Sequence, residues 1–210
     1  YAIQSYATIS DAIGYTYQQD GHSFYVLSFP TGNATWVYDV ATGGWHERAR
    51  FENGQFYRHA SNCQMNYGGE VVVGDYGNGN LYAFDLNVFT DNGAPQKWLR
   101  SWRALASDQN TLKRTAHHSL QLDCETGVGL SAGQGSNPQV MLRWSDDGGH
   151  TWSNEHWRSM GAIGQYGYRT IWRRLGMTEK LRDRVYEVSG TDPVKIAIMG
   201  AELFITPTNA

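Results

Sequence analysis

Trp36-Val37-Tyr38-Asp39 and, 46 positions on, Tyr82-Ala83-Phe84-Asp85 repeat one pattern: aromatic, small apolar, aromatic, aspartate. The match extends upstream without gaps. Pro30-Thr31-Gly32-Asn33 falls on Tyr76-Gly77-Asn78-Gly79, Phe24-Tyr25-Val26-Leu27 on Glu70-Val71-Val72-Val73, and Tyr17-Gln18 on Cys63-Gln64. Each repeat reads strand, turn, strand, turn, strand: the apolar run Ser23–Phe29, a Gly/Asn turn, Trp36–Asp39, the turn Ala41–Gly44, and a strand opening with Trp45. Side chains change face at every strand residue, so Trp36 and Tyr38 share a face. Asp39, and Asp85 with it, is placed to cap the next turn by accepting the N–H two residues on. A 46-residue period of short strands carrying a tryptophan fits a β-propeller blade, with the meander of a β-sandwich as the alternative. Two blades cannot close a ring, so further blades are expected upstream. The chain opens on Tyr1 with no signal peptide, which reads as a piece of a longer polypeptide.

Composition agrees with an all-β fold. Among 210 residues there are 24 glycines and 28 aromatics against 5 prolines, a balance that favours short strands and tight turns. No segment sustains a 3.6-residue period, and no apolar run approaches the roughly 18 residues of a membrane-spanning helix. Residues 1–96 carry three cations against nine acids, and residues 97–210 fourteen against eleven. That asymmetry divides the chain into two blade-like repeats over 1–96 and an antiparallel β unit, sandwich-like or further blade-like, over 97–210. It is too mild to mark a nucleic-acid-binding domain. Cys63 and Cys124 read as two free thiols of a reducing compartment, with a single disulfide as the alternative, and no spacing suggests zinc.

In the second half the predicted strands are Thr115–Cys124, Gln139–Trp144, Thr151–Ser159, Tyr168–Gly176, Asp183–Val188 and Val194–Ile205. Residues 131–137 read as a flexible loop, and the one short helix is expected near Ser107–Leu112. The last strand holds the most apolar run, Ile196-Ala197-Ile198-Met199, and is expected at the centre of its sheet. The sharpest motif is Ser145-Asp146-Asp147-Gly148-Gly149-His150-Thr151-Trp152, which fits S-x-D-x-G-x-T-W and resembles the Asp-box of sialidases and other β-propeller proteins. It reads as a structural hairpin: Ser145 and Thr151 frame it, Asp147 accepts backbone N–H groups, Gly149 adopts an angle closed to other residues, and Trp152 packs beneath the turn.

No catalytic set emerges. Arg158, Arg169, Arg173, Arg174, Arg182 and Arg184 lie within 27 residues of one another, whereas the arginine triad of a sialidase is gathered from separate blades, and no Tyr–Glu pair accompanies them. His117 and His118 are adjacent and on a strand face opposite sides; the other histidines lack metal-ligand spacing. No phosphate loop, nucleophile elbow or Cys–His pair is present. The chain is therefore read as no enzyme, with no cofactor, metal or small-molecule substrate. Trp172, Arg173, Arg174, Arg182 and Arg184 form a candidate interface, because tryptophan and arginine are favoured anchors at contacts between proteins.

Three strings together carry a family resemblance. Trp36-Val37-Tyr38-Asp39-Val40-Ala41-Thr42-Gly43-Gly44-Trp45-His46-Glu47-Arg48 is the first. Leu142-Arg143-Trp144, running on into the Ser145–Trp152 motif, is the second. Arg173-Arg174-Leu175-Gly176, then Arg182-Asp183-Arg184-Val185-Tyr186-Glu187-Val188 and Asp192-Pro193-Val194, form the third. They resemble the packaged-DNA stabilisation proteins of short-tailed phages, also called tail accessory or tail-hub factors, over about Tyr17 to Leu203 and in the C-terminal part of that longer protein. The resemblance implies a phage or prophage virion structural protein, assembled in the bacterial host cytoplasm and residing in the virion tail. It implies a homo-oligomeric, hexameric ring below the portal and adaptor, which helps close the channel after packaging, carries distal tail parts and touches packaged DNA non-specifically. It supplies no catalytic residues and no membrane partner. A glycan-binding or sialidase-like β-propeller is the alternative, and a generic surface adhesion module is a third reading.

Overall fold

The computed structural model describes residues 2–104, 114–179 and 184–208. The chain divides into two compact units, 1–91 and 92–210. Apart from a single 3-10 turn at Ile3–Ser5, the regular structure among the described residues is antiparallel β.

In the first unit, β1 (Ile13–Gln19), β2 (His22–Phe29), β3 (Ala34–Asp39) and β4 (Gly44–Glu47) form one sheet in sequence order. β5 (Ala49–Glu52) and β6 (Gln55–Arg58) form a hairpin. β7 (Ser61–Tyr67), β8 (Glu70–Asp75) and β9 (Leu81–Ala83) form a second sheet. The 46-residue repeat is visible in the ladder. Val26 pairs with Val37 and Leu27 with Trp36, while Val72 pairs with Ala83 and Val73 with Tyr82.

The gap-free match fails at the first strand of each repeat. Val26 pairs with Tyr15, but Val72 pairs with Met65, four positions beyond the residue equivalent to Tyr15. The cause is turn placement. The first hairpin turns at Asp20-Gly21 (φ 50° and 78°) and the second at Gly68-Gly69 (φ 60° and 88°), two positions later in the repeat. Moving a turn by two residues shifts the partner strand by four. A bulge between Ser61 and Cys63 displaces β7 further. The two sheets close on one core of Tyr17, Val26, Val37, Val71 and Val73, with Tyr15, Phe24, Tyr82 and Phe84 packed against it. No sheet among the described residues closes into a ring.

A short pair, β10 (Thr90–Asp91) with β11 (Ala94–Pro95), precedes the second unit's layers. There β12 (Trp98–Arg103), β14 (Gln139–Ser145), β15 (His156–Ser159) and β17 (Val185–Gly190) form a sheet in the order β12-β17-β14-β15. β13 (Thr115–Cys124), β16 (Thr170–Arg173) and β18 (Ile198–Pro207) form another in the order β16-β13-β18. Leu120 and Leu122 of β13, Val140 and Leu142 of β14, Trp172 of β16, and Tyr186 and Val188 of β17 join one buried cluster, so the two sheets pack face to face as a β-sandwich.

One expectation is overturned, one strand is added and one expectation is not tested. The apolar final strand is not central: β18 is an edge, paired only with β13, and leaves Met199 and Phe204 exposed. Its apolar character serves one face only, because Ile198 and Leu203 alone turn toward the core, a phase change produced by the bulges in the β13–β18 ladder. β12 was not among the sequence-derived strands. Ser107–Leu112 lies outside the described residues.

Candidate interaction surfaces

The Ser145–Trp152 turn is built around one carboxylate. Asp147 Oδ1 accepts the backbone N–H groups of His150 (2.9 Å) and Thr151 (2.8 Å) and the Ser145 hydroxyl (2.6 Å), while Oδ2 accepts the Thr151 hydroxyl (2.6 Å). Ser145 Oγ in turn receives the Gly149 N–H at 2.8 Å. Gly148 and Gly149 hold φ of 75° and 104°, where a side chain would be strained. The Ser145 and Thr151 hydroxyls, then the backbone N–H groups, hold the Asp147 carboxyl well below the usual carboxylate range.

The turn is wider than a two-residue hairpin, because the β14–β15 ladder ends at Leu142–His156 and the loop is closed by Ser153 N–H donating to Trp144 O. Trp152 is half-buried rather than buried: it lies beneath the Arg143 guanidinium, whose Cζ stands 4.6 Å from the ring centroid. Both oxygens of the carboxylate thus accept hydrogen bonds within the turn.

In the first unit, Asp39 and Asp85 make the same bond at equivalent positions: Ala41 N–H donates to Asp39 Oδ1 at 2.9 Å and Asn87 N–H to Asp85 Oδ1 at 2.8 Å. Asp39 is buried and also receives His22 and Thr42; burial alone would raise its pKa, but these bonds outweigh it and hold the carboxyl below its ordinary value. Trp36, Tyr38 and Trp45 lie together on the sheet face away from the core, Tyr38 and Trp45 with ring centroids 5.2 Å apart. Their counterparts Tyr82 and Phe84 pack inward instead.

The arginine-rich segment separates into two populations. Trp172 is buried in the sandwich core, its Nε1–H donated to His156 O at 2.7 Å. Arg184 is 2% exposed and braces the interior: Nε and Nη2 donate to Asp146 Oδ1 and Oδ2 at 2.6 and 2.7 Å, and Nη1 donates to Leu175 O at 2.7 Å. Neither residue is a surface anchor. Strand alternation misassigned them, because Trp172 takes β16's core face and Arg184 fills the space between Trp144 and Tyr186. Arg182 lies outside the described residues.

Arg173 and Arg174 are exposed. Arg174 leaves the strand in the left-handed region (φ 60°), so it does not share Trp172's face. It borders a cleft of about 360 Å³ lined also by Ala116, His117, His118, Gly176 and Met177. Arg169 donates to Gln121, and Arg158 to the carbonyls of Ile171 and Trp157, so the arginines do not converge on one pocket.

A buried polar network completes the second unit. His117 Nδ1 meets the Tyr186 hydroxyl at 2.6 Å and Nε2 meets Thr115 Oγ1 at 3.1 Å. Burial, then Arg184, pushes the His117 pKa down to about 4, and burial pushes Tyr186 up to about 12. Both stay neutral near pH 7. His118 faces outward, against the Phe204 ring. Cys63 is an exposed free thiol, and Cys124 a buried one whose pKa burial raises. Among the described residues, no group of three or more His, Cys, Asp or Glu is placed to hold a metal ion, and no helix is long and apolar enough to cross a membrane. Asp146 was missed as a key residue: it occupies a free position of the motif, and only the fold brings it to Arg184.

Comparison with known families gives a match in the second unit. Residues 97–206, just over half of the chain and nearly all of the sandwich layers, fit the family model described as Bacteriophage P22 Gp10, beta-sandwich. No curated protein matches the chain.

Proposed function

The chain belongs to the bacteriophage P22 Gp10 beta-sandwich family, a phage virion structural family, and from that premise we propose that it works in the tail hub. There it helps close the portal channel over packaged DNA and carries distal tail parts, as one subunit of a homo-oligomeric, hexameric ring. The observation that carries this reading is the family match over residues 97–206. The chemistry of the site supports a structural role. The conspicuous polar groups Asp147, Arg184 and His117 each make hydrogen bonds within the fold.

Within that reading the repeats of the first unit are two propeller-like blades, and the exposed Arg173 and Arg174 face a neighbouring tail or adaptor protein. Contact with DNA goes through phosphates and is independent of sequence, so it weakens steeply with salt. Quantitative mass spectrometry of gradient-purified particles tests the assignment. The protein should be present at a fixed copy number per virion, and should follow the tail when heads and tails are separated. Its absence from mature particles would refute the reading.

A further inference from the structure

Arg174 holds a backbone conformation that its side chain does not suit. Among the described residues, those other than glycine at positive φ are Asp20, Asn33, Asn53, Asn92 and Arg174. Asparagine and aspartate tolerate the left-handed region, because their short polar side chains bond locally, whereas a long side chain there is strained. The strand beside it imposes the strain. Beyond Arg173 the chain bulges away from β13: Arg174 N–H donates to His118 O at 2.7 Å and Leu175 N–H to His117 O at 3.1 Å. His117 N–H then donates to Gly176 O at 2.8 Å, and Met177 bridges to Ala116. Leu175, 3% exposed, anchors the bulge in the core. The Arg174 guanidinium takes no part in this: among the described residues it makes no hydrogen bond, ion pair or ring contact. An arginine held at a strained position with no internal partner points to a role outside the fold.

What Arg174 borders is the cleft of about 360 Å³, where Ala116, Gly176 and the exposed Met177 supply carbon surface. His118 is fixed on its rim, with Nε2 on the Thr206 hydroxyl and the ring against Phe204. Among the described residues no carboxylate lines the cleft. The acids around it are engaged or stand off. Glu179 pairs with Arg114 at 3.4 Å, Asp146 pairs with Arg184, and Glu202 lies opposite Gln121, beyond Phe204 on the ladder. The cleft therefore joins one open cation, Arg174, to an apolar surface, with the exposed Arg173 next to it in the chain.

We propose that this cleft receives a carboxylate side chain flanked by an apolar residue, carried on a segment of a neighbouring tail protein. The Arg174 guanidinium takes the carboxylate, and Met177 and Ala116 take the apolar group. Charge complementarity selects an acidic segment. The carbon lining favours a peptide over DNA, whose phosphates present charge with no apolar group beside it. The inference rests on the tail-hub assignment proposed above and names the chemistry of the partner that Arg174 meets.

Titration of the whole chain with the capped peptide acetyl-Leu-Asp-Leu-amide, followed by NMR at the Met177 methyl and the His118 ring, tests it. Acetyl-Leu-Asn-Leu-amide removes the charge and acetyl-Gly-Asp-Gly-amide the apolar groups. The first peptide should move both signals and bind about tenfold tighter than either control, the loss expected for one charge-assisted hydrogen bond or for the buried carbon. Arg174→Asn should reduce its binding to the level of the asparagine peptide while raising the midpoint of urea unfolding, because asparagine suits the left-handed conformation. Equal binding of the three peptides, or no movement of either signal at millimolar peptide, would overturn the proposal. So would a short DNA duplex that moves the signals where the peptide does not, or a lowered midpoint in Arg174→Asn, which would give the arginine a role in the fold. A failed titration with the protein still at fixed copy number in virions discards the cleft and keeps the tail assignment. Intact binding with the protein absent from virions keeps the carboxylate site and discards its tail partner.

Discussion

Arg184 and Asp146, 38 residues apart, meet in a two-pronged ion pair, with Nε on Oδ1 at 2.6 Å and Nη2 on Oδ2 at 2.7 Å. The guanidinium is almost fully buried, and the carboxylate keeps 28% of its surface in water. Removing one partner of a buried pair leaves the other groups unsatisfied and costs about 3 kcal/mol. Arg184→Met should lower the unfolding free energy by about that amount in urea denaturation, since the Leu175 carbonyl also loses its donor. A loss below about 1 kcal/mol would show that water replaces the guanidinium.

Trp172 belongs to the same interior. Trp172→Ala should cost about 3–5 kcal/mol, the range for emptying an aromatic site in a core. Arg173→Glu with Arg174→Glu, both at exposed positions, should change stability by less than about 0.5 kcal/mol, while weakening attachment to a tail or adaptor partner in pull-down from assembled particles. Unchanged attachment in a folded double variant would remove these two arginines from the interface.

His117 gives the second unit an acid-sensitive core. Its folded pKa, about 4, lies below the ordinary value of 6.5 because burial, followed by Arg184, disfavours the imidazolium. Below pH 6.5 the unfolded chain takes up a proton that the folded chain refuses until about pH 4. The stability is therefore complete above 6.5 and drains as pH falls, at about 1 kcal/mol per pH unit. His59, pushed down to about 3 by burial, acts with the same sign in the first unit. His117→Gln should give a shallower fall between pH 6.5 and 4 in chemical denaturation. An unchanged slope would mean that His117 is solvated.

Asp147 acts on its turn. Asp147→Ala should speed amide hydrogen exchange at His150 and Thr151, whose N–H groups it accepts, and leave the β14–β17 ladder protected. The depressed carboxyl pKa adds a pH test: the protection is present above the ordinary carboxylate range and fades only in stronger acid, as the folded group is finally protonated. Exchange at these two amides that ignores the substitution would remove the brace.

The repeat shows where sequence reading succeeds and where it stops. Aromatic, small, aromatic, aspartate at a 46-residue spacing located the second and third strands of both sheets, because strand alternation and Asp turns are local properties. Which face each sheet buries is not local. Trp36 and Tyr82 carry the same pattern, yet only Tyr82 packs inward, because the packing partner of each sheet decides it. β18 repeats the lesson, since an apolar run does not reveal whether a strand is central or at an edge. At the arginine cluster, Arg184 and Arg174 were indistinguishable in sequence. Asp146, 38 residues before Arg184, draws one into the core, while the other leaves β16 through a left-handed turn.

The central claim is a structural role in the phage tail that keeps packaged DNA inside the head. The direct measurement is DNA content per head, by nuclease protection after packaging, in particles from an amber mutant of this protein and from its suppressed control. The account expects mutant heads to package DNA and then lose it, with tails lacking their distal parts. Mutant particles that retain their full DNA and complete their tails would contradict it.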